Sequence, residues 1–400
     1  MNRRRFALGF ALVLACFVPV GWAIAQLPTT LSDRAVVSLV TVTPGDAVYS
    51  LYGHSAVRVA DPESGLDVVF NYGTFDFDAP WFVPKFVYGI LDYQLSISTM
   101  RNALLGAGFE SRGVVEQVLD LNAAETRALY DFLVDNARPE KRTYRYDFFF
   151  DNCATRILDV FELRTGSEVT WLADPAAGRT FRELLAPYTA AHSWLRSGID
   201  LIIGIRTDRP ATPREASFLP DHLFTLVESA KIGSGADRRP LVRSTAMLLP
   251  DPDPAAPATD RSAAILFWVL AMAGVIWTAL RGFRPGTPVL GRADLVLLSL
   301  LGLVGLLITF LAFASQHAAM ADNWNLTWAI PLHLAVVALH RRLPARVLAV
   351  YFGLTALLAL LSLTGGWLLP QPLPEAAVPI VIYAAIRAGR TAWLAGRNGS

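Results

Sequence analysis

The hydrophobic pattern of the chain changes character near residue 260: short apolar runs broken by charged and turn-forming residues give way to long apolar runs almost free of charge. The first part reads as strands and amphipathic helices. Ala35 to Val42 is a β-branched run of strand length, closed by the turn Pro44-Gly45-Asp46. Ser55 to Val59 alternates as a strand does, with His54 at its head. Asp61-Pro62-Glu63-Ser64-Gly65 turns the chain, and Asp67 to Tyr72 returns as the second arm of a hairpin. Pairing back from that turn sets Asn71 and Tyr72 across from the start of the first strand; a slip of one residue exchanges which of them faces His54. Trp81 to Ile97 carries Phe82, Phe86 and Ile90 at helical spacing. Asn122-Ala123-Ala124-Glu125 resembles a capping box, with Leu129, Phe132 and Leu133 as the buried stripe behind it. Tyr144 to Phe150 reads as a strand. The next helix starts at Asp151 or Asn152, either a good N-cap, and Ala154, Ile157, Leu158 and Phe161 form one apolar face.

The second part predicts a bundle of about five transmembrane helices over residues 262–388. Uncharged runs near 263–280, 295–314 and 347–369 are long enough to cross a bilayer. Two shorter candidates lie near 324–339 and 371–386, the latter interrupted by Pro374 and Glu375 and kinked by Pro379. Arg281, Arg284 and Arg292 lie between the first two spans, Arg341, Arg342 and Arg346 between the third and fourth, and Arg387, Arg390 and Arg397 after the fifth. The alternate loops lack Lys and Arg. The positive-inside rule then puts the first domain outside and residues 389–400 in the cytoplasm as a tail. Trp324 and Trp328 fit an aromatic belt, and His333 falls within the third span, where an ionisable group merits a functional hypothesis. Residues 233–261, rich in Pro, Ala, Asp and Gly, read as a linker.

The N-terminus agrees with this orientation. Arg3, Arg4 and Arg5, the apolar run Phe6 to Val20 and Ala23-Ile24-Ala25 read as a cleaved signal peptide over residues 1–25. A lipobox ending in Cys16 and a retained anchor are the alternatives, and all three export the domain after residue 25. An inner-membrane protein with a periplasmic domain over 26–232 results. The net charge of +1 argues against nucleic acid as a partner.

The chain has two cysteines, Cys16 and Cys153. Removal of the signal leaves Cys153 as a lone exported thiol with no disulfide partner. It falls in the first turn of its helix, where unpaired N–H groups and the helix dipole favour thiolate, the attacking species. A buried free cysteine is more commonly a small hydrophobe. The helix-start position, the export and a strand histidine available as a base weigh toward chemistry, although His192 and His222 are also available. No pairing of His, Asp or Glu has metal-ligand spacing, and no cofactor is expected.

Tyr52-Gly53-His54-Ser55-Ala56-Val57-Arg58-Val59, then Asn71-Tyr72-Gly73-Thr74-Phe75-Asp76-Phe77, then Asp151-Asn152-Cys153-Ala154-Thr155-Arg156 together resemble the Lnb-type N-terminal periplasmic domain family. The likeness runs over roughly residues 30–230 and includes Phe218-Leu219-Pro220. The order of motifs is similar to that of circularly permuted papain-like α+β folds, including the lecithin:retinol acyltransferase group and NlpC-type peptidases. The resemblance implies Cys153 as nucleophile and His54 as general base. Asn71 or Tyr72 would orient the imidazole, Asn71 being favoured because an amide can accept from it. The backbone N–H of Cys153 could donate to an oxyanion, with Asn152 either contributing or serving only as N-cap. Arg58, His317 and Asn323 are further candidates for binding substrate. The family implies lipoprotein N-acylation: an acyl chain from a membrane phospholipid or lipoprotein passes through a Cys153 thioester to a lipoprotein N-terminus. An NlpC-like amidase acting on envelope amides and a non-catalytic membrane-anchored module are the alternatives.

Overall fold

The computed structural model describes residues 27–76, 78–252, 258–284 and 287–398, so the expected signal peptide lies outside the described residues. The chain forms two compact units, Met1–Arg179 with Pro210–Ala256, and Thr180–Arg209 with Pro257–Ser400.

The first unit is built on a seven-stranded antiparallel sheet in the order β10-β5-β1-β2-β3-β4-β6. Its strands and helices run β1 (Val36–Val42), β2 (His54–Asp61), β3 (Leu66–Thr74), α1 (Phe82–Tyr88), β4 (Asp92–Thr99), α2 (Met100–Phe109), β5 (Val114–Leu119), α3 (Ala123–Asn136), β6 (Thr143–Arg145), α4 (Cys153–Arg164) and β7 (Val169–Thr170). The chain then leaves for the second unit, where it forms α5 (Phe181–Leu185) and α6 (Ser193–Ile202). It returns as α7 (Pro213–Ala216), α8 (Pro220–Ser229), β8 (Lys231–Ile232), β9 (Arg239–Pro240) and β10 (Val242–Leu249).

Strand alternation divides the core. Val37, Leu39, Val57, Val59, Phe70 and Tyr72 pack on one face with Leu129 of α3, Ile157 and Phe161 of α4 and Leu223 of α8. Val40, Ala56, Val69 and Val114 pack on the other with Met100 and Ala107 of α2. Each fully buried aliphatic or aromatic side chain contributes about 1.5–3 kcal/mol, so the sheet is held from both sides. The hairpin turn is where the sequence puts it, with Asp61 paired to Leu66 and Val57 to Phe70.

Three local expectations fail for physical reasons. The helical spacing over Trp81 to Ile97 covers a seven-residue helix and then a strand, because Gly89, at φ 78°, ends α1 in the left-handed region and β4 follows. No residue of α1 is fully buried and Trp81 is 76% exposed, while Phe82 is partly buried against the core and stacks on Phe75 at 5.8 Å. The strand expected over Tyr144 to Phe150 stops at Arg145. Asp147 then accepts from the backbone N–H groups of Phe149 and Phe150, folding residues 147–151 into a turn. The linker read over 233–261 contains β10, which extends the sheet through β5. As an edge strand, β10 has mostly exposed residues and two register shifts, so its sequence lacks the alternation of a half-buried strand.

The second unit is helical: α9 (Ser262–Arg281), α10 (Arg292–Phe313), α11 (His333–Leu339), α12 (Ala345–Ser362) and α13 (Val378–Asn398). Three of these, α9, α10 and α12, are long and apolar enough to cross a membrane. The run read as a third span is a 3-10 turn, Trp324–Thr327, and the short α11; Pro331 between them cannot continue a helix. The fifth begins only at Val378, with Pro379 in its first turn, where the ring needs no donor and makes no kink. It continues past Ile386 to Asn398, so residues 389–398 are helical. Arg387 and Arg390, read from sequence as loop charges, are 4% and 3% exposed and pair with the equally buried Asp294.

Residues 180–209, assigned from sequence to the exported domain, cluster with these helices. The backbone N–H of Gly204 donates to Ala319 O at 2.8 Å, and a Cβ at Gly204 would collide with the Ala321 carbonyl. This close backbone approach has no hydrophobic periodicity to announce it.

Candidate active site

α4 begins at Cys153 because Asn152 caps it. Asn152 Oδ1 accepts from the N–H groups of Ala154 (2.9 Å) and Thr155 (3.0 Å), and Thr155 Oγ1 accepts from the Asn152 N–H at 2.8 Å. Asp151, the other N-cap candidate, pairs instead with Arg156. The Asn152 amide nitrogen donates to Phe148 O (2.8 Å) and Phe218 O (2.7 Å), tying the helix start to the segment before α8. Both ends of this 3%-exposed amide are therefore committed, so of the two roles the sequence allows Asn152 takes that of N-cap and has no proton left for an oxyanion. Asn152→Ala is expected to destabilise the first unit by about 2–4 kcal/mol, combining a lost cap with unpaired buried carbonyls. Asn152→Asp, which keeps the cap, should fall between, as read by denaturant midpoints. Unchanged stability in Asn152→Ala would contradict this structural role.

Cys153 is unpaired and partly exposed. Gly73 of β3, at φ +85°, lies against it, and a Cβ there would stand 3.4 Å from Cys153 Cβ and 3.8 Å from the Tyr146 ring. Tyr146 stacks on Tyr93 at 4.0 Å, and Arg156 lies 3.9 Å over the Tyr144 ring, giving the cysteine an aromatic surround. Burial pushes the thiol above its ordinary pKa. The backbone N–H groups of Ser55, Ala154 and Cys153 itself, and the Arg112 charge, pull it down by less. The thiolate expected at a helix start is thus not the resting form: desolvation outweighs the helix terminus.

His54, the first residue of β2, pairs with Val42 on β1. Its Nε2 lies 3.4 Å from Asn71 Oδ1, while the Asn71 amide nitrogen donates to Val69 O and Ser98 Oγ, both at 3.3 Å. With the amide oxygen turned to the ring, Nε2 carries the proton and Nδ1 is left basic. Burial, then the Arg112 charge, lowers the His54 pKa to about 4, against the contrary pull of Asn71. The imidazole is neutral at pH 7. Among the described residues no hydrogen bond joins Cys153 Sγ to either ring nitrogen of His54. The sulfur approaches strand β2 at the Ser55 N–H instead.

His54 and Asn71 line a cavity of about 280 Å³ with Ser98, Glu110 and Arg112 and an apolar wall that includes Val40, Ala56 and Val69. Arg112 is 7% exposed. Its Nε donates to Thr43 O (2.7 Å) and Nη1 to Glu110 (2.9 Å), while Nη2 is buried without a partner. This guanidinium acts on both His54 and Cys153. Nothing in the turn Ser111-Arg112-Gly113 marks it in the sequence; only the fold brings it to the ring.

Other candidates are occupied elsewhere. Tyr72 is 1% exposed and donates to Asn136 Oδ1 at 2.6 Å in the core, so it does not orient the imidazole. Arg58 pairs with Asp67 and Glu116 at 2.7 and 2.9 Å, so its guanidinium is not open to an anionic headgroup. Asn323 is buried in the second unit and donates to Leu201 O and Ile202 O, the last carbonyls of α6, which accounts for its amide. His317 precedes the 3-10 turn Ala318–Met320 of that unit. Of the remaining histidines, His192 precedes α6 and His222 lies on α8. Among the described residues no cluster of three or more His, Cys, Asp or Glu is placed to hold a metal ion.

An exported sheet domain with a helix-opening thiol, followed by apolar helices of membrane-crossing length, defines a membrane protein with an extracytoplasmic domain. Residues 26–186 match the model of the Lnb N-terminal periplasmic domain and residues 261–398 that of the Lnb transmembrane domain, so the chain belongs to the Lnb-type family. No curated protein and no solved structure matches it.

Proposed function

We propose that the protein is a membrane-bound cysteine acyltransferase that N-acylates lipoproteins through a Cys153 thioester. The observation that carries the reading is the lone exported thiol at a capped helix start, in a chain that continues into a lipid-embedded unit. In the proposed reaction His54 Nδ1 takes the Sγ proton and the thiolate attacks an ester carbonyl of a phospholipid or diacylglyceryl donor. The tetrahedral oxyanion is met by backbone N–H groups at the helix start. It collapses as the alcohol leaves with the imidazolium proton. The α-amine of a lipoprotein N-terminus then attacks the thioester, forming an amide and releasing the thiol. Asn71 orients the ring, and burial, reinforced by the Arg112 charge, holds it neutral. His54 lines the α2-side cavity with Ala56 and Val69 whereas Cys153 packs against the α4-side core, so in this reading the ring must turn across the start of β2 to reach Sγ. The sheet and capped helix fit a permuted papain-like arrangement. In this reading the segment from the 3-10 turn Trp324–Thr327 through α11, too short as a helix to cross alone, forms the third pass and α13 the fifth, with the C-terminus on the cytoplasmic side of the bacterial inner membrane.

The reading is tested by mass spectrometry of lipoprotein N-termini in a cell lacking other N-acyltransferases. Expression should convert free α-amines to amides, and unchanged termini would sink the proposal.

The His54 pKa of about 4, below the ordinary 6.5, gives a pH prediction. If neutral His54 is the base, acylation loses activity on the acid side only near pH 4, not near 6.5. Arg112→Gln removes a cation and should move that limb upward. An acid limb at the same pH in both proteins would show that Arg112 does not set it. Stability has the same sign: the unfolded state binds the His54 proton more tightly between those values, so stability falls as pH drops through that window.

A further inference from the structure

α6 is a ten-residue helix in the segment that leaves the exported domain, and it lies outside both matched ranges. Side chains far away in sequence hold both its ends. At the N-terminus the Ser193 N–H and Oγ donate to Asp260 Oδ2 at 3.1 and 2.6 Å. At the C-terminus Leu201 O accepts from Asn323 and Asn325, Ile202 O from Asn323, and Ile203 O from Gln371 at 3.1 Å. These carbonyls would otherwise be unpaired at the helix end.

The anchors share one end of the bundle. Asp260 precedes α9, Asn323 and Asn325 follow α10, and Gln371 precedes α13. The arginine-rich segments, 281–292 and 341–346, lie at the opposite ends of α9, α10 and α12. A helix of roughly 15 Å pinned at its two ends to different helix termini lies across the bundle end rather than along a span. Trp194, 52% exposed, sets its ring 5.5 Å from Phe267 of α9. Beside Phe267 the α9 surface continues through Ile265, Leu266 and Trp268, which are 60%, 43% and 42% exposed. The apolar surface of α6 is thus continuous with one that faces lipid. Trp, with an apolar body and an N–H, is suited to the headgroup boundary.

We propose that α6 is an interfacial helix, held by the Asn323–Asn325–Gln371 clasp with Trp194 in the headgroup–acyl boundary of the outer leaflet, so that lipid covers this face.

The test uses full-length protein with Cys16 and Cys153 replaced by serine and a nitroxide label at Trp194→Cys, in vesicles of phosphatidylcholine and phosphatidylglycerol. Collision with oxygen should exceed that with a water-soluble nickel chelate several-fold, and a label at exposed Leu163→Cys should show the reverse. Nickel access at 194 matching that at 163 would overturn the proposal by placing α6 in water. Protection from both reagents would overturn it by showing a protein over this face. Adding Asn323→Ala and Asn325→Ala should shift label 194 toward nickel, and an unchanged ratio would overturn the clasp's part in placing the helix.

Discussion

Cys153→Ala is expected to abolish the hydroxylamine-sensitive acyl adduct and the amide product, a loss of roughly ten-thousand-fold or more if the sulfur is the nucleophile. The substitution removes only Sγ. The cap at Asn152, the buried Ala154 and the Ile157–Phe161 stripe remain, so the fold should survive. Loss of activity with an unchanged unfolding midpoint then isolates chemistry from structure. Purified protein incubated with phospholipid or diacylated lipopeptide, then treated with hydroxylamine, gives the measurement. A wild-type protein that never forms the adduct, while the same preparation cleaves muropeptides, would replace acyl transfer with the amidase. An alanine variant of full cellular function would leave a non-catalytic module.

Asp294→Asn is expected to destabilise the helical unit by about 3–5 kcal/mol. Asp294 Oδ1 accepts from Arg387 Nε at 2.7 Å and Oδ2 from the Gly291 N–H at 2.8 Å, with Arg390 3.7 Å away. All three charged side chains are almost wholly buried, and Arg387 also donates to Thr278 Oγ1 at 2.9 Å. Neutralising the carboxylate leaves two cations without a counter-charge. Removing one cation with it, in Asp294→Leu/Arg387→Met, should cost less than the sum of the single changes. Thermal unfolding in detergent reads both. An additive double mutant would mean that the two residues do not act as a pair. The cluster joins α10 to α13, so these arginines serve packing in addition to any role in orientation.

Short-range pattern is legible in the sequence. The helix start at Cys153, the capping box at Asn122 and the hairpin turn at residues 62–65 are each written in neighbouring residues, because caps and turns are satisfied locally. The three long apolar helices were legible because one residue class fills each of them. Misreadings arose where a period served two elements, as from Trp81 to Ile97, or where an edge strand faced solvent, as in β10. The sequence leaves Asn152 open to either role, N-cap or oxyanion donor, because it does not reveal that Phe148 O and Phe218 O take both its amide protons.

By itself the sequence determined a cysteine at a helix start, a histidine heading an earlier strand, and a membrane-embedded second half. These depend on residue type and local spacing. The tertiary structure alone decided that Asn71 and not Tyr72 meets His54, that Arg112 stands beside them, and that residues 180–209 leave the exported domain to pack on the membrane helices. Those outcomes turn on which groups are desolvated together, and that balance is struck only when distant segments of the chain meet.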